Sequence, residues 1–238
     1  MEDSIAARLE SLEERIEAAC RRSGRKRREI QLMGVTKFHP IETVEEARKA
    51  GMRLFGESRV KEASDKFTGF WQKYGRDCGV ELHLVGSLQR NKAKAAAAFF
   101  DCIQSVDRES LIDMLGALTL ERESPLMILL EYHTGEETKA GFPDRDSLFR
   151  SAEKTLAFPG LRSAGLMTIA PCTEDKNLIR SSFRELAAAR DELKKRFPVA
   201  NDAWSCLSMG MTNDFELAIE EGSTMIRVGT ALFGERKV

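Results

Sequence analysis

The sequence predicts an α/β protein built as a single (β/α)8 TIM-type barrel with an extra N-terminal helix. Two observations predict this fold. Short apolar runs alternate with helix-like segments along the chain, and about eight such runs can be counted. Dividing 238 residues by eight gives about 30 residues, the size of one strand with its helix and loops. We therefore expect residues 1–238 to form one barrel domain.

The first predicted element is an amphipathic helix, because Ile5, Leu9, Leu12 and Ile16 fall on one helical face. The predicted strands follow over residues 31–35, 53–55, 81–85, 102–104, 126–130, 161–168, 204–207 and 224–228. Segments with apolar residues three and four positions apart lie between them and predict helices. An open doubly wound sheet is the alternative. Its glycine-rich fingerprint is absent after the first strand, where residues 35–38 are Val-Thr-Lys-Phe.

The composition excludes several classes of function. Lys+Arg 37 against Asp+Glu 38 gives a net charge of -1, so we expect no nucleic-acid or membrane partner. The longest apolar runs fall well short of the roughly 20 residues that cross a bilayer, and the acidic N-terminus is unlike a signal peptide. These features predict a cytoplasmic protein. The three histidines lack metal-ligand spacing, so we assign no metal.

The chemistry is predicted at the carboxyl ends of the strands, which face one mouth in a barrel of this kind. The residues at or near those ends are Lys37, His83, Met167, Ser208, Arg227, Gly229 and Thr230. A lysine that is partly desolvated at the mouth can attack an aldehyde as a neutral amine. The loop over residues 208–214 and the turn at residues 229–230 carry glycines and hydroxyls that suit a phosphate group.

Each of these residues also has an ordinary explanation. A lysine at a strand end is usually a solvated or salt-bridged side chain, and a Gly-Thr pair is a common turn. The combination predicts a Schiff-base site for a phosphorylated aldehyde. An aldolase that acts on a sugar phosphate without a cofactor remains an alternative.

Six collinear segments carry a resemblance to a known family. They are residues 35–37, 55–57, 83–92, 165–167, 207–211 and 222–234. Together they resemble the pyridoxal phosphate homeostasis proteins, a family similar to the barrel domain of bacterial alanine racemase. Two positions depart from the family pattern. Ser58 replaces the usual asparagine, and His39 replaces the second lysine of a Lys-x-Lys-Pro motif.

The resemblance implies that pyridoxal 5'-phosphate is bound covalently to Lys37 as a Schiff base, so that residues 1–238 are a pyridoxal-phosphate-binding domain. It also implies phosphate contacts from Ser208, Gly229 and Thr230, with Arg227 against the pyridine nitrogen. We expect three further residues on the wall of the cofactor pocket. They are His83, Met167 and Ser58.

The resemblance further implies a cofactor carrier or buffer that delivers pyridoxal phosphate to apo-enzymes, rather than an enzyme. Arg227 donates hydrogen bonds but accepts none, so a ring nitrogen beside it stays unprotonated and the ring is a poor electron sink. A racemase also needs an acid/base on each face of the substrate carbon. Neither Tyr74 nor Tyr132 aligns with the tyrosine that supplies the second one in the racemase. An amino-acid racemase is the alternative function.

Overall fold

The computed structural model describes residues 4–135 and 140–235, and its eight parallel strands form a closed barrel in chain order. The strands are β1 Gln31–Val35, β2 Leu54–Glu57, β3 Glu81–Leu84, β4 Cys102–Val106, β5 Leu126–Glu131, β6 Leu161–Met167, β7 Cys206–Ser208 and β8 Met225–Val228. Pairing of β8 with β1, which aligns Val228 with Gly34, closes the ring. The predicted fold class is confirmed.

Helices surround the barrel and connect successive strands. Within the described ranges they are α1 Ile5–Arg22, α2 Ile41–Lys49, α3 Val60–Tyr74, α4 Ala93–Phe99, α5 Glu109–Leu118, α6 Arg145–Leu156, α7 Lys176–Arg196, α8 Phe215–Glu220 and α9 Thr230–Phe233. Ser4 caps the N-terminus of the extra helix α1, because its hydroxyl accepts a hydrogen bond from the Ala7 amide. The buried face of α1 packs mainly against α8 and α9, and the Arg15 guanidinium lies 2.7 Å from the Glu216 carboxylate of α8. None of these helices combines the length and apolarity needed to cross a bilayer.

One predicted strand begins two residues late in the structure. The apolar segment over residues 204–207 predicts a strand, but Trp204 ends a short 3-10 helix, Pro198–Trp204, and β7 starts at Cys206. The Trp204 indole is fully buried and lies 6.4 Å from the ring of Phe197. Burial therefore explains its apolar character, and a short apolar segment does not distinguish a strand from a buried helical turn.

The core has two layers, one between the sheet and the helices and one inside the barrel. The inner layer contains methionines and small apolar side chains, including Met33, Met225 and Met167. Strands β6 and β7 approach so closely that a Cβ on Gly165 would lie 1.9 Å from the carbonyl oxygen of Cys206. Gly165 also has a φ of +155°, so the barrel wall requires a glycine there.

Candidate functional site

A cavity of about 720 Å³ opens at the carboxyl ends of the strands. Lys37 reaches it from the turn after β1, Ser58 from the end of β2, and Glu131 from the end of β5. Arg227 of β8 and Thr230 at the start of α9 complete the opposite side. The barrel thus brings together side chains that are almost 200 positions apart in the sequence.

Helix α3 holds the backbone on both sides of Lys37. The Lys66 ammonium donates a 2.7 Å hydrogen bond to the carbonyl of Thr36, and the Phe38 amide donates a 2.5 Å hydrogen bond to Glu62. Phe38 has a φ of +65°, the one positive φ among the described non-glycine residues. A left-handed phenylalanine costs free energy, so the surrounding contacts must stabilise this turn.

A buried ion pair lies beneath that turn. Glu57 of β2 is fully buried, and its Oε1 atom accepts hydrogen bonds of 2.7 Å from the Thr36 hydroxyl and from Lys66. Burial raises the pKa of Glu57, and the positive charge of Lys66 opposes that rise. Removing one partner of such a pair leaves an uncompensated charge, so Glu57 and Lys66 fix α3 against the barrel as a unit.

Arg227 is buried at the cavity wall in a fixed orientation. Its Nη1 atom donates to the carbonyl oxygen of Ser208 at 2.6 Å and to the Ser208 hydroxyl at 2.8 Å, and Nη2 donates to the carbonyl of Thr168 at 2.9 Å. Burial lowers the pKa of Arg227, while the carboxyls of Glu131 and Asp214 oppose that shift. A guanidinium stays protonated even so, and it therefore presents a permanent cation.

A chain of polar groups continues from Arg227 down the inside of the barrel. The Ser208 hydroxyl donates to the side-chain oxygen of Gln104 at 2.7 Å, and the amide nitrogen of Gln104 lies 2.9 Å from His83 Nδ1. Ser208 and His83 are buried members of this row of polar groups and do not belong to the cavity lining. Met167 also lies in the barrel interior, packed with Cys102 and other small apolar side chains.

Five of the eight predicted site residues lie on the cavity wall. They are Lys37, Ser58, Arg227, Gly229 and Thr230. Ser208, His83 and Met167 are not on that lining, because strand side chains alternate in direction. Ser208 and His83 bond to Gln104 inside the barrel, and Met167 packs with Cys102. Within the segment over residues 208–214, Thr212 reaches the lining, so the structure brings that hydroxyl to the cavity instead of the hydroxyl of Ser208.

Two acids on the lining escaped the sequence prediction. Asp214 precedes α8, and its Oδ1 atom accepts a 2.5 Å hydrogen bond from the Met211 amide. Burial raises the pKa of Asp214. Glu131 ends an apolar strand just as Lys37 follows one, and that signal could have identified it. Across the described ranges, His, Cys, Asp and Glu side chains form no group of three that could hold a metal ion.

Glu131 lies in an unusual environment for a carboxyl group. The residue is only 5% exposed, and burial raises its pKa to about 7, with repulsion from Asp107 adding to the rise and Arg227 opposing it. None of the hydrogen bonds among the described residues involves its side chain. It therefore faces the cavity as a carboxyl that exchanges its proton near neutral pH.

The lining fits the groups of pyridoxal phosphate. The aldehyde of the cofactor needs an amine, which Lys37 carries. The ring nitrogen of the cofactor needs a hydrogen-bond donor, which Arg227 carries. Its phosphate needs amides and hydroxyls, and the first turn of α9 has amides without an acceptor in the helix, beside the Thr230 hydroxyl. A Cβ on Gly229 would crowd the Val35 carbonyl at 3.3 Å, so glycine keeps that turn open.

Comparisons with known proteins agree with this geometry. The family model for the alanine racemase N-terminal domain matches residues 7–237. The pyridoxal phosphate homeostasis protein of Aquifex aeolicus is 39% identical over 231 residues, which is 97% of each chain. Its counterpart in Escherichia coli strain K12 is 36% identical over 235 residues, 98% of this chain and 97% of the relative.

Solved structures agree as well. PipY of Synechococcus elongatus PCC7942, solved with PLP bound, superposes with a TM-score of 0.82 at 34% identity and covers 97% of this chain and 100% of its own. The alanine racemase of Clostridium difficile 630 shares only the fold, with a TM-score of 0.70 at 11% identity over 57% of its own chain. As the sequence motifs predicted, the protein belongs to the pyridoxal phosphate homeostasis protein family, within the proteins that share the alanine racemase N-terminal domain.

Proposed function

We propose that this protein binds pyridoxal 5'-phosphate at the mouth of its barrel and carries or buffers it through a Schiff base with Lys37. The observation that supports this proposal most strongly is the cavity itself, where an amine, a permanent cation and an open helix start face one another. The PLP-bound structure of PipY, a relative similar over its whole length, adds support. We take residues 1–238 as one cofactor-binding domain.

The bound cofactor would supply an aldehyde that an amine captures reversibly. In this proposal Lys37 is the capturing amine, and the turn held by Lys66 and Glu62 keeps that amine directed at the cavity. Gly229 and Thr230 hold the phosphate, and Arg227 donates to the ring nitrogen. Ser208 supports Arg227 instead of binding phosphate, because its hydroxyl is already engaged by Arg227 and Gln104.

We propose a carrier in preference to a racemase, on chemical grounds. Arg227 is held by three oxygen acceptors and is a donor only, so a ring nitrogen beside it stays unprotonated and stabilises a carbanion poorly. Both tyrosines are engaged elsewhere: Tyr74 donates to Glu45 at 3.2 Å and Tyr132 donates to Glu185 at 3.0 Å. The relatives from Aquifex aeolicus and Escherichia coli are likewise named for pyridoxal phosphate homeostasis. Our proposal includes transfer of the cofactor to apo-enzymes.

The test combines spectroscopy with covalent trapping. The purified protein is titrated with pyridoxal phosphate, its absorbance is recorded, and the adduct is reduced with borohydride before peptide mapping. We expect one modified peptide, containing Lys37, and no racemisation of L-alanine. Lys37→Ala should lose both the imine absorbance and the label. Lys61→Ala, which changes an exposed lysine of α3, is the matched control and should behave as wild type. Label at another lysine, or an unchanged Lys37→Ala variant, would refute the site.

A further inference from the structure

Glu131 is a cavity residue for which the proposed cofactor site provides no role. Its carboxyl is buried on the same lining as Lys37 and Arg227, and no hydrogen bond among the described residues reaches it. The other buried acids near the mouth are engaged: Asp214 accepts the Met211 amide, and Glu57 is paired with a lysine. Burying a carboxyl without a partner costs free energy, so an unpaired one that faces a cavity indicates a missing ligand group.

The charges around Glu131 restrict what that group can be. Arg227 of β8 is near, but its hydrogen bonds from Nη1 and Nη2 go to Ser208 and to the Thr168 carbonyl. Asp107, after β4, adds negative charge, and Lys37 and Asp214 line the same cavity. A phosphate dianion would be repelled by the carboxylate, and the unprotonated ring nitrogen has no hydrogen to donate. A cationic group with N–H donors fits, and a primary ammonium is the cation that also reacts with a captured aldehyde.

We propose that Glu131 binds the ammonium group of a small primary amine that enters beside the cofactor, and that it takes the proton of that amine so that the amine displaces Lys37. This inference rests on the proposed function, because displacement needs a cofactor that Lys37 already holds. It gives the carrier a release step in which an amine, and not water, removes the cofactor from the lysine.

The exchange balances without any further reactant. Glu131 as carboxylate removes one proton from the ammonium nitrogen, and the freed lone pair forms a bond to the carbon that Lys37 holds. This addition moves one electron pair of the old double bond onto the Lys37 nitrogen, and breakage of the remaining carbon–nitrogen bond moves the second pair there. The two hydrogens left on the amine nitrogen pass to the lysine nitrogen, Glu131 returns the third proton, and Lys37 is released as an ammonium. One carbon–nitrogen double bond replaces another, and nothing is oxidised or reduced. A carboxyl with a pKa of about 7 is well matched to this proton transfer at neutral pH.

The experiment measures amine-driven exchange in the loaded protein. Wild type, Glu131→Gln and Glu131→Asp are loaded with pyridoxal phosphate, freed of excess cofactor and mixed with methylamine at neutral pH. The absorbance and the borohydride-trapped label on Lys37 are followed with time. Glu153→Gln, an exposed carboxyl of α6, is the matched control. Trimethylamine, which cannot form the carbon–nitrogen double bond, is the control ligand.

We expect Glu131→Gln to lower the second-order rate constant of exchange about a hundredfold, the usual contribution of a positioned acid/base. In amine-free buffer, the rate of cofactor release from Glu131→Gln should differ from that of wild type by less than about threefold, because water does not bind at the ammonium site. Glu131→Asp should recover part of the rate, Glu153→Gln should match wild type, and trimethylamine should release nothing. Wild-type exchange rates in Glu131→Gln would overturn this inference and leave the proposed function intact. A wild-type protein without label on Lys37 before amine is added would overturn both.

Discussion

Replacing Glu131 by glutamine should stabilise the cofactor-free protein above neutral pH. Burial and repulsion from Asp107 raise the pKa of Glu131 from 4.5 to about 7, although Arg227 opposes the rise. The folded protein therefore favours the protonated acid more than the unfolded chain does. The stabilisation from this group is fully present below about pH 4.5 and is lost as the pH rises through about 7. At about 1.36 kcal/mol per pKa unit, the loss is about 3 kcal/mol.

Glutamine has nearly the same shape as protonated glutamic acid and does not titrate. Wild type and Glu131→Gln should therefore differ little in unfolding free energy at low pH, and the advantage of the variant should grow by about 2 kcal/mol between about pH 5 and about pH 8. Asp214, the other acid of the cavity whose pKa burial raises, is present in both proteins, so its contribution largely cancels in the difference.

The assay is urea unfolding of cofactor-free protein, followed by circular dichroism at several pH values. The exposed Glu153→Gln variant on α6 should show no pH-dependent difference from wild type. A difference between wild type and Glu131→Gln that stays constant with pH would refute the assigned environment of this carboxyl. A variant that loses stability relative to wild type as the pH rises would refute it more directly, because it would require a lowered pKa.

Three further changes have expected outcomes in urea unfolding. Lys66→Met leaves the fully buried Glu57 without its cation and should lower the free energy of unfolding by about 3 kcal/mol. Lys61→Met, on the exposed face of the same helix, should lower it by less than about 0.5 kcal/mol. Equal effects of the two substitutions would contradict the buried pair. Gly165→Ala places a Cβ 1.9 Å from a carbonyl of β7 and should cost at least about 3 kcal/mol. Gly69→Ala adds a methyl group in open space on α3 and should raise the free energy of unfolding by about 0.5–1 kcal/mol. A lower free energy of unfolding would mean that this helix face is covered.

The fold was predictable because it depends on a repeating pattern. Alternation of strands and helices, with the length of the chain, is enough to indicate an eight-stranded barrel, and the barrel alone directs strand ends to one mouth. Lys37 and Arg227 were therefore placed on a common cavity without any knowledge of side-chain contacts. Glu131 was missed because the predicted strand stopped at residue 130, one position before the carboxyl that ends β5.

Ser208 shows what the pattern leaves undetermined. Its placement depends on where β7 ends and on which way its last side chain points, and β7 has only three residues. In the structure Ser208 aligns with Met167 and Met225 of the neighbouring strands and points into the barrel, so the later hydroxyl of Thr212 reaches the cavity. A shift of one residue in a strand reverses the direction of its side chains, and the sequence did not fix that shift here.

The sequence also did not predict the contacts by which Glu62 and Lys66 hold the backbone on both sides of Lys37. Glu62 and Lys66 are four positions apart on a helix, a spacing typical of solvent-exposed ion pairs that contribute little. In the structure the Lys66 side chain is only 8% exposed and bonds to the backbone before Lys37, while Glu62 bonds to the backbone after it. Their contribution depends on burial, which only the packing of α3 against β2 and against the turn after β1 creates.

The polar chain inside the barrel connects stability to the proposed carrier function. Barrels of this kind are usually filled by apolar layers, yet here Arg227, Ser208, Gln104 and His83 bond to one another along the interior. A buried guanidinium is tolerated only if oxygens engage its hydrogens, and three acceptors do so. These contacts also prevent Arg227 from turning away, so in the proposed site a cofactor ring beside Arg227 would face a donor in every bound state. Such a donor would leave the ring nitrogen unprotonated. Under the proposed function, the interactions that make the arginine stable in the core would therefore also favour holding the cofactor over using it for carbanion chemistry.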